Sequence, residues 1–126
     1  MKRKFSKSWK RSKQPRKQRK YRYNAPLHIK SRFMSVHLSK ELRGKYKKRN
    51  VTIRKGDGVK VLRGQFKGKT GKIDRVDVKK TRVYITGVEV AKKDGTKAFY
   101  PFNPSNLIIT ELNLDDKKRV KSLERK

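Results

Sequence analysis

Lys55-Gly-Asp-Gly-Val-Lys-Val-Leu-Arg-Gly-Gln-Phe-Lys-Gly-Lys-Thr-Gly-Lys-Ile73 is the stretch from which the architecture of this chain can be read. It begins with an alternating run, Gly58-Val59-Lys60-Val61-Leu62, which places Val59 and Val61 on one face of a strand. Three glycines follow, Gly64, Gly68 and Gly71, and then a second β-rich run from Gly71 to Val78. Glycine permits positive φ and close approach of another backbone, so the segment reads as strand, tight loop, strand. Arg63, Lys67, Lys69 and Lys72 stand around the glycines. A tight loop with exposed amides and basic side chains suits a phosphate backbone. It is not a nucleotide-binding P-loop, because the glycine spacing differs and no helix is signalled after it.

The reading extends outward from both ends of this loop. Ile73 is out of phase with Val76 and Val78, which predicts a bulge or sharp bend in the second strand. Arg82-Val83-Tyr84-Ile85 and Val88-Glu89-Val90 continue the β pattern, and Asp94-Gly95 is a hairpin turn leading to Lys97-Ala98-Phe99-Tyr100. Asn106 to Thr110 closes the set. Several short strands between residues 51 and 112 predict a small, strongly bent barrel, so the fold class is mainly β. Residues 25–50 form a connector with one short helix, capped by Ser39 and ending between Gly44 and Tyr46. Leu27 to Leu38 is apolar without a helical period and reads as extended. Residues 113–126 read as a C-terminal helix whose start is capped by Asp115 or Asp116.

Residues 1–24 are of a different kind. They contain 12 Lys or Arg and no Asp or Glu. Like charges repel, and few apolar side chains are present to offset the entropy of ordering the chain. The segment is therefore expected to be disordered or extended until it meets a polyanion, where released counterions drive binding. Phe5, Trp9, Tyr21 and Tyr23 lie among the charges and can stack on bases, which favours RNA. The whole 126-residue chain carries a formal net charge of +30, of which residues 1–50 contribute 20 basic and 1 acidic residue. At 32% hydrophobic residues, one small core is the most it can bury. It has no cysteine, no secretory signal pattern and no apolar run near membrane-spanning length, which leads to the expectation of a soluble intracellular protein.

The glycine segment resembles the KOW motif, which is found in SH3-like barrels. The resemblance continues in Asn24-Ala-Pro-Leu-His-Ile29, Met34-Ser35, Leu38-Ser-Lys-Glu-Leu-Arg43, Ile53-Arg-Lys-Gly-Asp57, Asn103-Pro-Ser-Asn-Leu107 and the terminal Leu-Glu-Arg-Lys. These are similar to the archaeal and eukaryotic L twenty-four family of large-subunit ribosomal proteins, called L twenty-six in eukaryotes. Gly58 departs from the family pattern, standing where a charged or bulky residue is expected at the start of the strand. The resemblance implies a structural, non-enzymatic ribosomal protein with no cofactor. It further implies binding to large-subunit ribosomal RNA, neighbouring ribosomal proteins, early action in subunit assembly and a place near the peptide exit tunnel.

Candidate RNA contacts follow from charge and position. In the arm and connector they are Lys2, Arg3, Lys4, Trp9, Lys10, Arg11, Arg16, Lys17, Arg19, Lys20, Arg22, Lys30 and Arg32. In the loop they are Arg63, Lys67, Lys69 and Lys72, with Gly64, Gly68 and Gly71 setting its geometry. His28 and His37 have no cysteine or acidic cluster near them in sequence, so neither a metal site nor a catalytic pair is expected. Asp74 and Asp77 are expected to form salt bridges with Arg75 or Arg82 rather than a paired-carboxylate site. Tyr84, Phe99, Tyr100 and Phe102 are assigned to core packing and to RNA or neighbour contacts, with a peptide-binding groove as the other possibility. A transcription-elongation KOW module would also bind nucleic acid, but such a module ordinarily sits beside further domains. A basic ribonuclease would need a general acid and base at a phosphate, and no such constellation is present.

Overall fold

The computed structural model describes residues 5–9 and 11–125, so the candidate contacts Lys2, Arg3, Lys4 and Lys10 lie outside the described residues. The chain runs through α1 (Pro15–Asn24), α2 (Leu27–Phe33), β1 (Ser35–Leu38), α3 (Lys40–Tyr46), β2 (Asn50–Thr52), β3 (Gly58–Val61), β4 (Thr70–Asp77) and β5 (Arg82–Ile85). It continues through β6 (Glu89–Ala91), β7 (Lys97–Phe99), a 3-10 turn (Pro104–Asn106), β8 (Leu107–Glu111) and α4 (Lys117–Glu124). Six strands form one sheet in the order β2-β1-β8-β3-β4-β5, and β6 and β7 form a separate two-stranded ribbon. All neighbours are antiparallel except β1 and β8, where His37 stands opposite Ile108 and Leu38 opposite Ile109 in parallel.

The expected strand pair around the glycine loop is present. Val59 and Val61 of β3 are buried and Lys60 is exposed, as alternation requires. The register of β4 against β5 shifts between Ile73 and Arg75, so the phase break in the sequence is a bulge that absorbs Asp74. Gly58 begins β3 at a second register shift against β8. A Cβ there would lie 3.0 Å from that of Glu111, so the departure from the family pattern has a packing reason. Asp94-Gly95 makes the expected ribbon turn, with Gly95 at φ +86° and Asp94 Oδ1 accepting from the Thr96 amide at 3.0 Å.

Three expectations are corrected. First, the sheet is open: β2 and β5 are its two edges and do not pair with each other. Closure requires the end strands to share hydrogen bonds. Instead part of the free edge of β5 is taken by Phe102, whose amide donates to Val83 O at 2.9 Å and whose carbonyl accepts from Val83 N at 2.9 Å. The architecture is mixed, a predominantly β sheet with four helices among the described residues.

Second, residues 25–50 do not merely connect. They supply β1 and β2 to the sheet, and Met34, Val36 and Leu38 to a core that also holds Ile53, Val59, Val61, Ile73, Val83, Ile85, Val88, Phe102, Leu107 and Ile109. Each such aliphatic side chain contributes about 1.5–3 kcal/mol on burial. The short helix within this stretch is as expected: Ser39 Oγ accepts from the Leu42 amide at the start of α3.

Third, the arm is not extended throughout, because residues 15–24 form α1, and the stretch from Leu27 to Leu38 is not extended throughout either, because residues 27–33 form α2. Pro15 sits at the start of α1, where its fixed φ favours the helix, and Lys, Arg and Gln are good helix formers. Like-charge pairs at helical spacing cost only about 0.2–0.5 kcal/mol each. Tyr21 gains aromatic partners in return, with ring centroids 4.9 Å from Phe5, 5.0 Å from Trp9 and 6.2 Å from Phe33.

Candidate nucleic-acid interface

The glycine loop closes on its own backbone. The Gly68 amide donates to Val61 O at 2.8 Å, Lys67 N to Gly64 O at 3.1 Å and Lys69 N to Phe66 O at 3.1 Å. The three glycines serve two different needs. Gly64 and Gly68 have φ of +96° and +89° and open space around them, so conformation alone requires glycine there. Gly71 has an ordinary φ, but a Cβ on it would stand 2.7 Å from Ile85 Cγ2 and 2.8 Å from Thr86 O, so close packing against the end of β5 requires it. Phe66 anchors the loop, its ring 4.9 Å from Tyr100 and 6.0 Å from Phe102. Arg63, Lys67, Lys69 and Lys72 are all exposed, and Lys69 Nζ lies 5.1 Å from the Phe66 ring centroid. The loop therefore has a fixed backbone carrying free cations.

Beside it lies a cavity of about 300 Å³ lined by Arg63, Gln65, Phe66, Arg82, Tyr100 and Asn103 among others. A larger cleft of about 510 Å³ adjoins it, sharing Arg82 and Asn103. Its walls are Arg22 and Tyr23 of α1, Phe33 of α2, Ser35, the β4–β5 turn Lys79-Lys80-Thr81, Arg82 at the start of β5, and Asn103 and Ser105. The turn is held by Asp77, whose Oδ1 accepts from the Lys80 amide at 3.0 Å, and by Thr81 at φ +56°. Neither lining contains an acidic residue.

The fold thus brings Arg22 and Arg63 into adjoining clefts. Lys17, Lys20, Arg16, Arg19, Arg11 and Arg32 stand exposed elsewhere, and Lys30 is half-buried with its Nζ 5.9 Å from the Tyr23 ring centroid. Trp9 is half-buried against Tyr21, so its ring is engaged within the chain rather than fully presented. Lys79, Lys80 and Arg82 were not among the expected contacts. Their sequence signal is the basic run Val78-Lys-Lys-Thr-Arg82, which falls between two strands.

Only two ion pairs exist among the described residues, Arg54–Asp116 and Arg119–Asp57. The expected bridges from Asp74 or Asp77 to Arg75 or Arg82 are absent. Arg75 instead stacks its guanidinium over Tyr84 at 4.2 Å, and Asp77 spends its carboxylate on the turn. Of the other aromatics, Phe102 is core, Tyr100 packs on it at 5.0 Å, and Tyr84 and Phe99 meet edge-on at 6.5 Å.

The Asp57–Arg119 pair was not legible beforehand and is fully buried, at 0% and 4% exposure. Arg119 grips both carboxylate oxygens, at 2.6 and 2.7 Å, and also donates to Asn113 O and Thr52 O. The Arg54 and Asn113 amides complete the shell of Asp57 at 2.9 Å each. Through this pair α4 docks on the sheet, aided by Leu123 and by Arg54–Asp116. Asp116 also caps α4 through the Lys118 amide at 2.9 Å, and its carboxyl is held below the usual 3.8 by Arg54 first and Lys118 second. The Asp94 carboxyl is likewise lowered, chiefly by the Thr96 hydroxyl.

Comparison with known proteins gives one consistent result. The family model described as ribosomal proteins L26 (eukaryotic) and L24p (archaeal) matches residues 12–126. The chain is 57% identical to the large ribosomal subunit protein uL24 of Methanoculleus marisnigri over 89% of its own length and 93% of that protein's. It is 50% identical to the protein of the same name from Methanosphaera stadtmanae, over 91% and 98% of the two chains. With that of Methanospirillum hungatei it shares 52% identity over 89% and 93%. The family is a class of structural proteins rather than enzymes. The chain carrying this glycine loop and these basic clefts belongs to the family of ribosomal proteins L26 of eukaryotes and L24p of archaea.

Proposed function

We propose that this protein is a structural constituent of the large ribosomal subunit in the cytoplasm, where it binds ribosomal RNA, acts early in assembly and lies near the peptide exit tunnel among neighbouring ribosomal proteins. The observation that carries the RNA-binding reading is the unpaired basic surface. Of the many Lys and Arg among the described residues, only Arg54 and Arg119 meet an acidic partner within the chain. Free cations around a fixed loop and along α1 are the electrostatic footprint of a phosphate-binding surface. The SH3-like class is part of this proposal, and the support for it is the β3–glycine loop–β4 segment packed on the single core, not closure of the sheet. Residues 1–24 form the RNA-binding arm in this reading, and the loop from Arg63 to Lys72 positions the protein on its target.

The test is a titration of the full chain with a large-subunit ribosomal RNA fragment in rising salt. The log–log slope is expected to correspond to roughly 6–10 released counterions. Lys67→Ala with Lys69→Ala should weaken binding and reduce that slope by about 2 while leaving the thermal melt unchanged. A nearly flat slope in the native protein would overturn the reading.

A further inference from the structure

The larger cleft has features that a surface for duplex phosphates does not need. We infer that it seats one unpaired, extruded RNA nucleotide, with the base on the Tyr23 ring and the flanking phosphates on Lys79, Lys80 and Arg82. The inference rests on the RNA-binding reading above and assigns it a specific site.

Size and charge come first. At about 510 Å³ the cleft falls within the range of small-molecule sites, about 300–1,000 Å³. Arg22, Lys79, Lys80 and Arg82 line it with no carboxylate to oppose an anion. The turn that carries Lys79 and Lys80 is fixed by Asp77 and by the left-handed Thr81, so the two cations are held at the cleft by a defined backbone.

The ring is the second feature. Tyr21 and Tyr23 are two residues apart on α1 and so face different sides of the helix. Tyr21 is taken up by Phe5, Trp9 and Phe33. Tyr23 has no aromatic partner among the described residues and remains 81% exposed while lining the cleft. A large exposed ring in a basic wall is the arrangement that stacks unpaired bases. A paired A-form helix offers side chains no comparable base face, since each base is covered on both faces by its stacked neighbours.

The third feature is the far wall. Asn103 Oδ1 already accepts from the Ser105 amide at 3.2 Å and is 3.1 Å from the Ser105 hydroxyl. Its commitment there leaves the Asn103 amide N–H groups as donors toward a base edge or sugar.

The experiment compares the full chain with its Tyr23→Leu and Lys79→Gln variants on two RNAs of equal length, one unpaired and one fully paired. Leucine keeps the helix propensity of the exposed position, and circular dichroism verifies the fold. Tyr23→Leu should weaken the unpaired RNA by roughly 5- to 150-fold, the worth of one stacked base, and change the duplex affinity less than about twofold. Lys79→Gln should weaken both RNAs and lower the salt slope by about 1. Equal loss on both RNAs from Tyr23→Leu, or no loss on either, overturns the nucleotide seat while binding of ribosomal RNA by the native chain leaves the broader reading intact. Failure of the native chain to bind any of these RNAs would remove both.

Discussion

The two terminal helices are both short and basic, yet they are held in opposite ways. α1 buries no residue, has no side-chain cap and no acid in its first turn. α4 buries Arg119 and Leu123 and is capped by Asp116. The difference lies in the acidic residues. Asp57 and Asp116 give α4 a partner inside the protein, whereas no carboxylate meets a cation of α1 among the described residues. A basic helix with an internal counter-charge becomes part of the fold. One without it remains surface and leaves its charges for a ligand. The ten acidic residues of this chain are therefore as informative as its forty basic ones.

Breaking the internal pair should have the largest effect. Arg119→Ala leaves Asp57 buried and short of its main partner, a change that costs about 3–5 kcal/mol in buried pairs. Denaturant unfolding should show that loss, and hydrogen exchange should show α4 released first. If Arg119→Ala is as stable as the native protein, α4 is not docked by this pair and the contrast fails.

The glycine loop combines the two modes in one segment, since its backbone is fixed and its cations are free. Gly68→Val places a β-branched residue at φ +89° and should cost about 1–3 kcal/mol, read from a thermal melt. Unchanged stability would mean the loop can readily adopt another path.

Asp116 gives a smaller, pH-dependent effect. Its pKa is lowered below 3.8 in the folded state, so its contribution is complete above 3.8 and fades as pH falls through the lowered value. NMR signals of the first turn of α4 should hold steady down to that pH and shift only below it. A midpoint above 3.8 would contradict the Arg54 contact.

The smallest effect on stability is expected in α1. Arg16→Ala with Arg19→Ala should shift stability by no more than about 0.5 kcal/mol, yet reduce the RNA salt slope by about 2. A large destabilisation would show that these cations have partners within the fold after all.

Legibility in the sequence followed the range of the interactions. The bulge at Asp74, the Asp94-Gly95 turn, the Ser39 cap and the α4 cap, narrowed to Asp115 or Asp116, are readable because each depends on residues a few positions apart. α1 is not legible in the charge pattern, because the aromatic contacts of Tyr21 that accompany it depend on where Phe5, Trp9 and Phe33 come to lie. Asp57 and Arg119 are 62 positions apart, and neither shows in sequence that it will be buried. The same holds for the cleft: Lys79, Lys80 and Arg82 meet Arg22 and Asn103 only after the sheet has formed. The candidate loop was legible, whereas its neighbouring clefts required the tertiary fold.

The parallel pairing of β1 with β8 sets an order of events during synthesis. β8 occupies the interior of the sheet, between β1 and β3, although it is the last strand to be made. Until Leu107–Glu111 exists, β1 and β2 have no path to the rest of the sheet and their apolar faces wait unpaired. Contacts of such long sequence separation slow folding and extend the lifetime of partly built species. The most basic segment is thus made well before the keystone strand. An interval follows in which the charged segment is available to a polyanion before the domain behind it is complete.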